Sequence, residues 1–172
     1  MRWIGQIVGM VATAALVSSF QCRRERTIAA FWTASAALFV LHYLLLGELS
    51  GAVMESALLV RNLLIVSRRP WVLRRTTMWV LLAAIVGLSL LSWEGWFSLF
   101  PLLALIGSTV ALWSDKARII NITQLLVTSP AWMVYNIHVL SWAGIVCETL
   151  DIVSVVVYFV RERLEKRKGA TD

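Results

Sequence analysis

The sequence has little charge and few cysteines for its 172 residues. Only 15% of its residues are charged and 59% are hydrophobic, whereas a soluble domain carries about 25% charged residues. Cys22 and Cys147 lie in different apolar runs, so their spacing indicates neither a disulfide framework nor a metal site. The two histidines, His42 and His138, lie in separate segments and give no zinc-like spacing. These deficits argue against a soluble domain, a disulfide-stabilised fold and a metal centre.

Motifs for catalysis are also lacking. The chain has no H-E-x-x-H pair, no nucleophile motif and no glycine-rich phosphate loop, and its exposed segments are too short for an enzyme site. We therefore expect no enzyme activity and no cofactor. The net charge of +6 comes from short basic clusters between apolar runs rather than from one basic face, which argues against nucleic acid as a partner.

Long apolar runs dominate the sequence instead. Their length of about 17–20 residues is what an α-helix needs to cross a bilayer. The sequence therefore predicts an all-α polytopic membrane protein with the lipid bilayer as its partner. We place seven transmembrane helices near residues 4–20, 27–46, 51–67, 76–92, 97–113, 119–138 and 141–160. The first run has a thin n-region and no convincing cleavage site, so we expect a retained span rather than a signal peptide.

The segments between the spans alternate in charge. The segments QCRRER, SRRPWVLRR, SDKAR and RERLEKRKGATD hold nearly all the lysine and arginine, whereas GELS, SWEGW and VLSW hold none. By the positive-inside rule the basic set faces the cytoplasm, which places the N-terminus outside and the C-terminus inside. Trp3, Trp93 and Trp142 lie near predicted span ends, where tryptophan anchors a helix at the membrane interface.

Two stretches of the chain repeat one pattern at a fixed offset. GAVMESALL begins at Gly51 and GIVCETLDI begins at Gly144, and each carries a glutamate four residues after its glycine, Glu55 and Glu148. The offset is 93 residues for both pairs (144 − 51 = 93 and 148 − 55 = 93). Span order and loop lengths match at this offset without a gap. The match indicates a duplicated bundle.

The duplication predicts a domain organisation. Residues 1–67 form a first three-helix repeat, residues 68–96 a linker with a connecting helix, and residues 97–172 a second three-helix repeat with a basic tail. A chain that crosses the membrane three times ends on the side opposite to its start, so a second repeat joined directly would be inverted. The connecting helix adds one crossing, which makes the two repeats parallel. The predicted order is three helices, one helix and three helices.

This order resembles that of the SWEET sugar facilitators and the wider PQ-loop superfamily. More closely, QIVGMVATAALVSSFQ, LHYLLLGELSGAVMESALLVRN and PAWMVYNIHVLSWAGIVCE resemble the YgjV-type bacterial inner-membrane proteins, over nearly the whole chain. The resemblance implies an inner-membrane location and an architecture more than an activity. In the SWEET proteins that this chain resembles, the pocket carries a pair of asparagines on the third helix of each repeat. Here Asn62 lies on the third span, but the offset of 93 residues aligns it with Val155. Sugar specificity does not carry over.

The two glutamates are the first candidates for a functional site. A charged side chain near the bilayer centre costs roughly 3 kcal/mol on insertion scales, so it normally faces the bundle interior. Glu55 and Glu148 lie about one turn into their spans, at similar depth. They either line a central cavity that binds a cation, a polar solute or protons, or bond neighbouring helices and fix the packing. Gly51 and Gly144 would admit a close helix or leave room for a ligand.

Further polar residues share the faces of these glutamates. Asn62 follows Glu55 by about two turns, and Asp151 follows Glu148 by three residues. Arg61 is the natural counter-charge. It either pairs with a carboxylate across the interface or extends toward the cytoplasmic surface.

The sixth span carries another candidate group. Trp132 and Asn136 lie one turn apart, an arrangement that suits a polyol and equally suits helix packing. Pro130 removes a backbone donor and can free a carbonyl near a cavity. His42, which the repeat aligns with Tyr135, is either a proton carrier or a histidine held by hydrogen bonds near the outer end.

One functional expectation and one alternative follow. We expect a transporter or facilitator of a small polar solute, sugar-like or other, with a site between the bundles at Glu55, Glu148, Asn62, Asn136 and Trp132. The alternative is a non-transporting receptor, assembly factor or scaffold, which would show no central cavity and carboxylates fully occupied by protein groups. The sequence leaves open whether copies of the chain form a homo-oligomer.

Overall fold

The described part of the protein is helical almost throughout. The computed structural model describes residues 2–19, 25–67 and 69–168; residues 20–24, which include Cys22 and two arginines, and residues 169–172 of the tail lie outside it. The helices are α1 (Arg2–Ser19), α2 (Glu25–Leu46), α3 (Leu49–Val66), α4 (Arg75–Leu91), α5 (Leu99–Trp113), α6 (Ala117–Thr123), α7 (Ser129–His138) and α8 (Trp142–Lys168). The all-α prediction is confirmed.

The sixth predicted span is not one regular helix. A π-helical turn, Gln124–Thr128, joins α6 to α7 without a break, so that the three pieces together form one rod. Pro130, in the first turn of α7, cannot donate to the carbonyl of Leu126, and its ring would clash with that carbonyl in a regular α-helix. The wider turn removes this conflict. With it, the described residues form seven rods that coincide with the seven predicted spans.

The helices have the length and surface of membrane spans. Leu49–Val66, Trp96–Trp113 and Trp142–Glu165 are long and apolar enough to cross a bilayer, and Ala30–Leu46 and Arg75–Leu91 are shorter apolar helices. Large apolar side chains stand on the outer surface: Trp79 is 64% exposed, and Val80 and Leu126 are each 68% exposed. Such a surface suits contact with lipid tails rather than with water.

The last helix is longer than its predicted span. We expected the seventh span to end near residue 160, but α8 continues to Lys168. The added residues, RERLEKRK, are arginine, glutamate, leucine and lysine, which all have high helix propensity and need no apolar neighbour to stay helical in water. The predicted basic tail is therefore a helical extension of the span.

The two halves of the chain have equivalent helix contacts, both within each half and with the opposite half. In the first half α2 packs against α1 and α3, and in the second half α7 packs against α5 and α8. Across the halves, α1 packs against α8 and α3 packs against α5, while α4 contacts both α3 and α5. A twofold relation between the halves predicts this pattern. The repeat boundaries stay a prediction from the sequence.

The two ends of the bundle differ in charge. We call the end that carries Arg74 and Lys116 the basic end. The opposite end is formed by residues 47–48, 92–95 and 139–141, and we call it the non-basic end because these loops hold no lysine or arginine; Arg2 of α1 also lies there and donates to the carbonyl of Val139 at 2.9 Å. Helices α1, α3, α5 and α8 run from the non-basic end toward the basic end, and α2 and α4 run back. The depth of a residue in the bundle can therefore be read from its distance to these two ends.

Candidate functional site

A cavity of about 280 Å³ lies between the two halves. Seven of the eight predicted site residues line it, namely Glu55, Arg61, Asn62, Trp132, Asn136, Glu148 and Asp151. Five further polar residues that were not predicted from the sequence line the cavity: Ser35, Tyr43, Ser108, Gln124 and Thr128. The offset of 93 residues was the one signal available for them, because it aligns Tyr43 with Asn136.

The two repeat-equivalent glutamates both face this cavity. Glu55, on α3, is 8% exposed, and Glu148 occupies the matching place on α8. Among the described residues, Glu148 Oε2 and the hydroxyl of Thr128 are buried and have no hydrogen-bond partner. Buried polar atoms are nearly always paired with protein, water or ligand. These two atoms therefore mark a place where a polar ligand or water would bind.

Arg61 is held inside the bundle by neutral groups. It is 4% exposed, and its Nη1 donates to Ser108 Oγ at 2.7 Å and to Thr109 Oγ1 at 3.2 Å. Its Nε and Nη2 donate to Asn62 Oδ1 at 3.2 and 3.0 Å. The hydrogen-bonded partners are thus hydroxyls and an amide, rather than the carboxylates or the cytoplasmic surface that the sequence allowed. Its positive charge stays beside the cavity.

The π turn brings a glutamine to Asp151. Gln124 Nε2 donates to Ser129 Oγ at 3.0 Å and to Asp151 Oδ2 at 3.4 Å. Gln124 begins the turn and Thr128 ends it, and both side chains line the cavity. Single π turns in α-helices occur frequently at functional sites. Here the turn directs an amide and a hydroxyl at the carboxyl-bearing face of α8.

Three stacked rings form one side of the cavity, which we call the aromatic wall: Phe39, Tyr43 and Trp132. The Tyr43 and Trp132 ring centroids lie 5.8 Å apart at an interplanar angle of 19°. The Phe39 and Tyr43 centroids lie 6.3 Å apart at 30°. Phe39 and Trp132 are repeat equivalents (132 − 39 = 93). The wall therefore takes one ring from each half at matching positions.

The non-basic end of the cavity is closed by a set of buried hydrogen bonds, which we call the polar layer: His42, Tyr43, Ser50, Tyr135, Asn136 and Ser141. The Tyr43 hydroxyl donates to Asn136 Oδ1 at 2.8 Å. The Tyr135 hydroxyl lies 3.0 Å from Ser50 Oγ and accepts the N–H of Gly51 at 2.9 Å. These bonds join the two halves to each other.

His42 belongs to the polar layer and not to the cavity lining. Its Nδ1 donates to the carbonyl of Gly5 at 2.7 Å, and its Nε2 lies 2.7 Å from Ser141 Oγ. The side chain is fully buried. Both ring nitrogens are occupied, so the structure places His42 as a residue held by hydrogen bonds, the second of the two interpretations left open by the sequence.

The two repeat glycines serve close packing beneath this layer. A Cβ at Gly51 would lie 2.8 Å from the hydroxyl of Tyr135, and a Cβ at Gly144 would overlap the amide of Asn136. Each glycine lies at the start of the third helix of its half, next to a polar ring or amide of the second helix. Both glycines thus allow a close helix approach, and Gly144 also lines the cavity.

Two acidic residues outside the spans also meet at the non-basic end. Glu94 Oε2 accepts the N–H of Ser50 at 2.7 Å, so a distant loop caps the start of α3. Burial raises the pKa of the neighbouring Glu48, and the charge of Glu94 raises it further. This cap could not be predicted from the sequence, because the two segments are more than 40 residues apart.

The comparison with protein families agrees with this architecture. A family model described as a bacterial inner membrane protein, Imp-YgjV, matches residues 3–166, a range that includes the whole cavity lining. No curated protein and no solved structure matches the chain. The match extends over nearly the full sequence, and a membrane location agrees with the three described helices that are long and apolar enough to cross a bilayer. The chain therefore belongs to the Imp-YgjV family of bacterial inner membrane proteins.

Proposed function

We propose that the protein is a transporter or facilitator of a small polar solute and that it catalyses no reaction. The solute would pass through the cavity between the two three-helix bundles. One observation carries the proposal: a cavity of about 280 Å³ is lined from both halves by the repeat-equivalent carboxyl groups of Glu55 and Glu148. Cavities between repeats near the middle of the bundle are typical substrate sites of secondary transporters.

The arrangement of charges favours transport over a scaffold. A protein that used its glutamates only for packing would occupy them fully with protein partners. Here Glu148 Oε2 lacks a partner among the described residues, and Arg61 bonds hydroxyls and an amide. Buried polar groups of this kind are costly and are retained in membrane proteins chiefly for function.

The polar layer and the lining together support an alternating route. The lining reaches from Tyr43 and Asn136 at the polar layer to Arg61, which lies in the last two turns of α3 near the basic end. Trp32, which is 45% exposed, lines the cavity near the start of α2, and we infer from it a mouth toward the basic end. The solute would reach the other side when the halves separate at the polar layer and close at the basic end.

The orientation of the chain sets the direction of this route. We propose that the basic end faces the cytoplasm, with the N-terminus outside and the C-terminus inside, because Arg74, Lys116 and the extension of α8 lie at that end. The present conformation would then receive solute from the cytoplasmic side. One chain lines the whole cavity, so the route requires no second copy.

Uptake into proteoliposomes tests the proposal. Purified protein is reconstituted, and the entry of labelled glucose, glycine and choline is compared with entry into protein-free liposomes of the same lipid. We expect at least one of these solutes to equilibrate faster in the presence of the protein. Uptake equal to that of empty liposomes for all three, with folded protein in the membrane, would favour the receptor or scaffold alternative.

A further inference from the structure

We propose that the solute is a small organic cation, an ammonium or guanidinium group on a compact carbon skeleton. The route of this solute rests on the proposed function, but its binding can be tested separately. Three features of the cavity lead to this class of ligand: an excess of carboxyl groups, a wall of aromatic rings and a small volume. Each is considered below.

The cavity holds more acidic than basic groups. Glu55, Glu148 and Asp151 line it, and among the residues that the structure describes Arg61 is the one basic residue in the lining. Arg61 donates its hydrogen bonds to neutral atoms, so no carboxylate is neutralised by direct contact with it. Ionised carboxylates in a membrane interior need an opposite charge close by. A cationic ligand supplies that charge.

The unpaired atoms lie where such a ligand would sit. Glu148 Oε2 and Thr128 Oγ1 are both buried without partners among the described residues, and both residues line the cavity. The Thr128 side chain is 5% exposed. When Glu148 is ionised, Oε2 accepts hydrogen bonds only, so a ligand that keeps this carboxylate ionised must bring a donor. An ammonium or guanidinium N–H is such a donor.

The aromatic wall provides the remaining contacts. Trp132 and Tyr43 both line the cavity, and their rings, stacked on each other at 5.8 Å, are 4% and 2% exposed, so a cation bound beside them would be desolvated. A cation within about 6 Å of an aromatic face is attracted by the ring quadrupole, most strongly by tryptophan and more strongly in a desolvated site. A neutral polyol would gain from Asn62 and Asn136 but would leave the carboxyl excess uncompensated.

The volume limits the size of the ligand. About 280 Å³ lies just below the range of about 300–1,000 Å³ that is usual for drug-sized ligands. A compact cation with a few carbon atoms fits such a space. An inorganic cation would engage the carboxylates alone and would give the aromatic wall no role.

Choline and its neutral carbon isostere, in which a tert-butyl group replaces the trimethylammonium group, separate charge from shape. The melting temperature of the purified full-length protein is measured with each compound, with ethanolamine, guanidinium and glucose, and with sodium chloride at equal ionic strength. A ligand that binds the folded protein raises the melting temperature. We expect a rise of several degrees with at least one organic cation, and none with the isostere, glucose or sodium chloride.

Substitutions of the carboxyl groups that line the cavity test where the cation binds. We expect Glu55→Gln and Glu148→Gln each to reduce the affinity for that cation at least tenfold, while Glu165→Gln, on the exposed extension of α8, leaves it unchanged. Removing a charge from the membrane interior should not destabilise the unliganded protein. An unchanged melting temperature without ligand therefore separates lost binding from lost folding, and Asp151→Asn provides a second variant with the same expectation.

The outcomes distinguish this inference from the proposed function. An equal shift with the isostere, no shift with any organic cation, or full affinity in the Glu55→Gln and Glu148→Gln double variant would overturn the inference. Cation binding without uptake into proteoliposomes would support the inference and contradict transport. Uptake of glucose without binding of any cation would support transport and contradict the inference.

Discussion

The hydroxyl of Tyr43 donates a 2.8 Å hydrogen bond to Asn136 Oδ1, and the two residues are separated by 93 positions, the offset of the repeat. Two equivalent residues can touch only if they lie beside the axis that relates the halves. His42 and Tyr135, the next equivalent pair, each reach the start of the third helix of the opposite half. If the predicted twofold relation between the halves holds, its axis passes through the polar layer, and relative motion of the halves would break these bonds.

Removing this hydrogen bond should loosen the closed end. In Tyr43→Phe, Asn136 Oδ1 loses its partner, and we expect the free energy of unfolding to fall by about 1–2 kcal/mol. We also expect a cysteine at Ser141, in a background with Cys22 and Cys147 replaced by alanine, to react faster with a membrane-impermeant maleimide. Maleimide labelling in proteoliposomes checks this.

Tyr158→Phe is the matched control, because Tyr158 is 39% exposed on α8, away from the polar layer. It should change neither stability nor labelling. Equal labelling rates for Tyr43→Phe and the parent would mean that the polar layer is not the closing contact.

The buried arginine should weaken the binding of a cation. Arg61 lines the same cavity as the carboxyl groups, so replacing it by glutamine removes a like charge from the site. Two charges about 8 Å apart interact by about 2 kcal/mol at an effective dielectric of about 20. We expect Arg61→Gln to bind an organic cation roughly tenfold more tightly, measured by titration calorimetry.

Two controls frame this result. Arg61→Lys keeps the charge and should leave the affinity within a few fold of the parent, and Arg161→Gln removes an exposed arginine and should have no effect. Weaker cation binding by Arg61→Gln would show that Arg61 organises the site rather than opposing the ligand.

The loop carboxyl group Glu48 should make stability depend on pH. Burial and the nearby Glu94 raise its pKa in the folded protein. Because its pKa is raised, Glu48 binds a proton more tightly in the folded protein than in the unfolded chain. The resulting stabilisation is complete at pH values below the pKa of Glu48 in the unfolded chain, and it is lost as the pH rises through its pKa in the folded protein. We expect the melting temperature to fall less between about pH 4 and about pH 7 in Glu48→Gln than in the parent.

Glu165→Gln should reproduce the pH profile of the parent, because this residue is exposed on α8. Parallel profiles for Glu48→Gln and the parent would contradict the assignment of a raised pKa to Glu48.

Most of the fold could be predicted from the sequence because membrane helices are recognisable from their amino-acid composition. Each span length and the alternation of basic segments follow from the cost of placing charge and unpaired backbone groups in lipid. The same cost explains why Glu55 and Glu148 could be predicted to face inward, and both line the cavity. Their role in binding a solute stays a prediction.

The parts that could not be predicted depend on contacts between distant segments. The π turn follows from Pro130, but its direction and the contact of Gln124 with Asp151 depend on how the turn packs on α8. Two of the neutral partners of Arg61, Ser108 and Thr109, come from α5, which no spacing rule connects to α3. Local periodicity carries no information on such pairs.

The orientation of the chain can be read by labelling. With the basic end in the cytoplasm, a cysteine at Trp96, which is 82% exposed near the non-basic end, should react with an impermeant maleimide in intact spheroplasts. A cysteine at Glu165 should react in inverted vesicles and not in spheroplasts. The opposite pattern would reverse the proposed orientation.

The most direct test of the central claim is uptake by the Glu55→Gln and Glu148→Gln double variant in proteoliposomes, with Glu165→Gln as the control. If the two repeat-equivalent carboxyl groups form the solute site, the double variant loses nearly all protein-dependent uptake and the control retains it. Uptake by the double variant at the rate of the parent would contradict the account, because the solute would then cross without the groups that line the cavity from both halves.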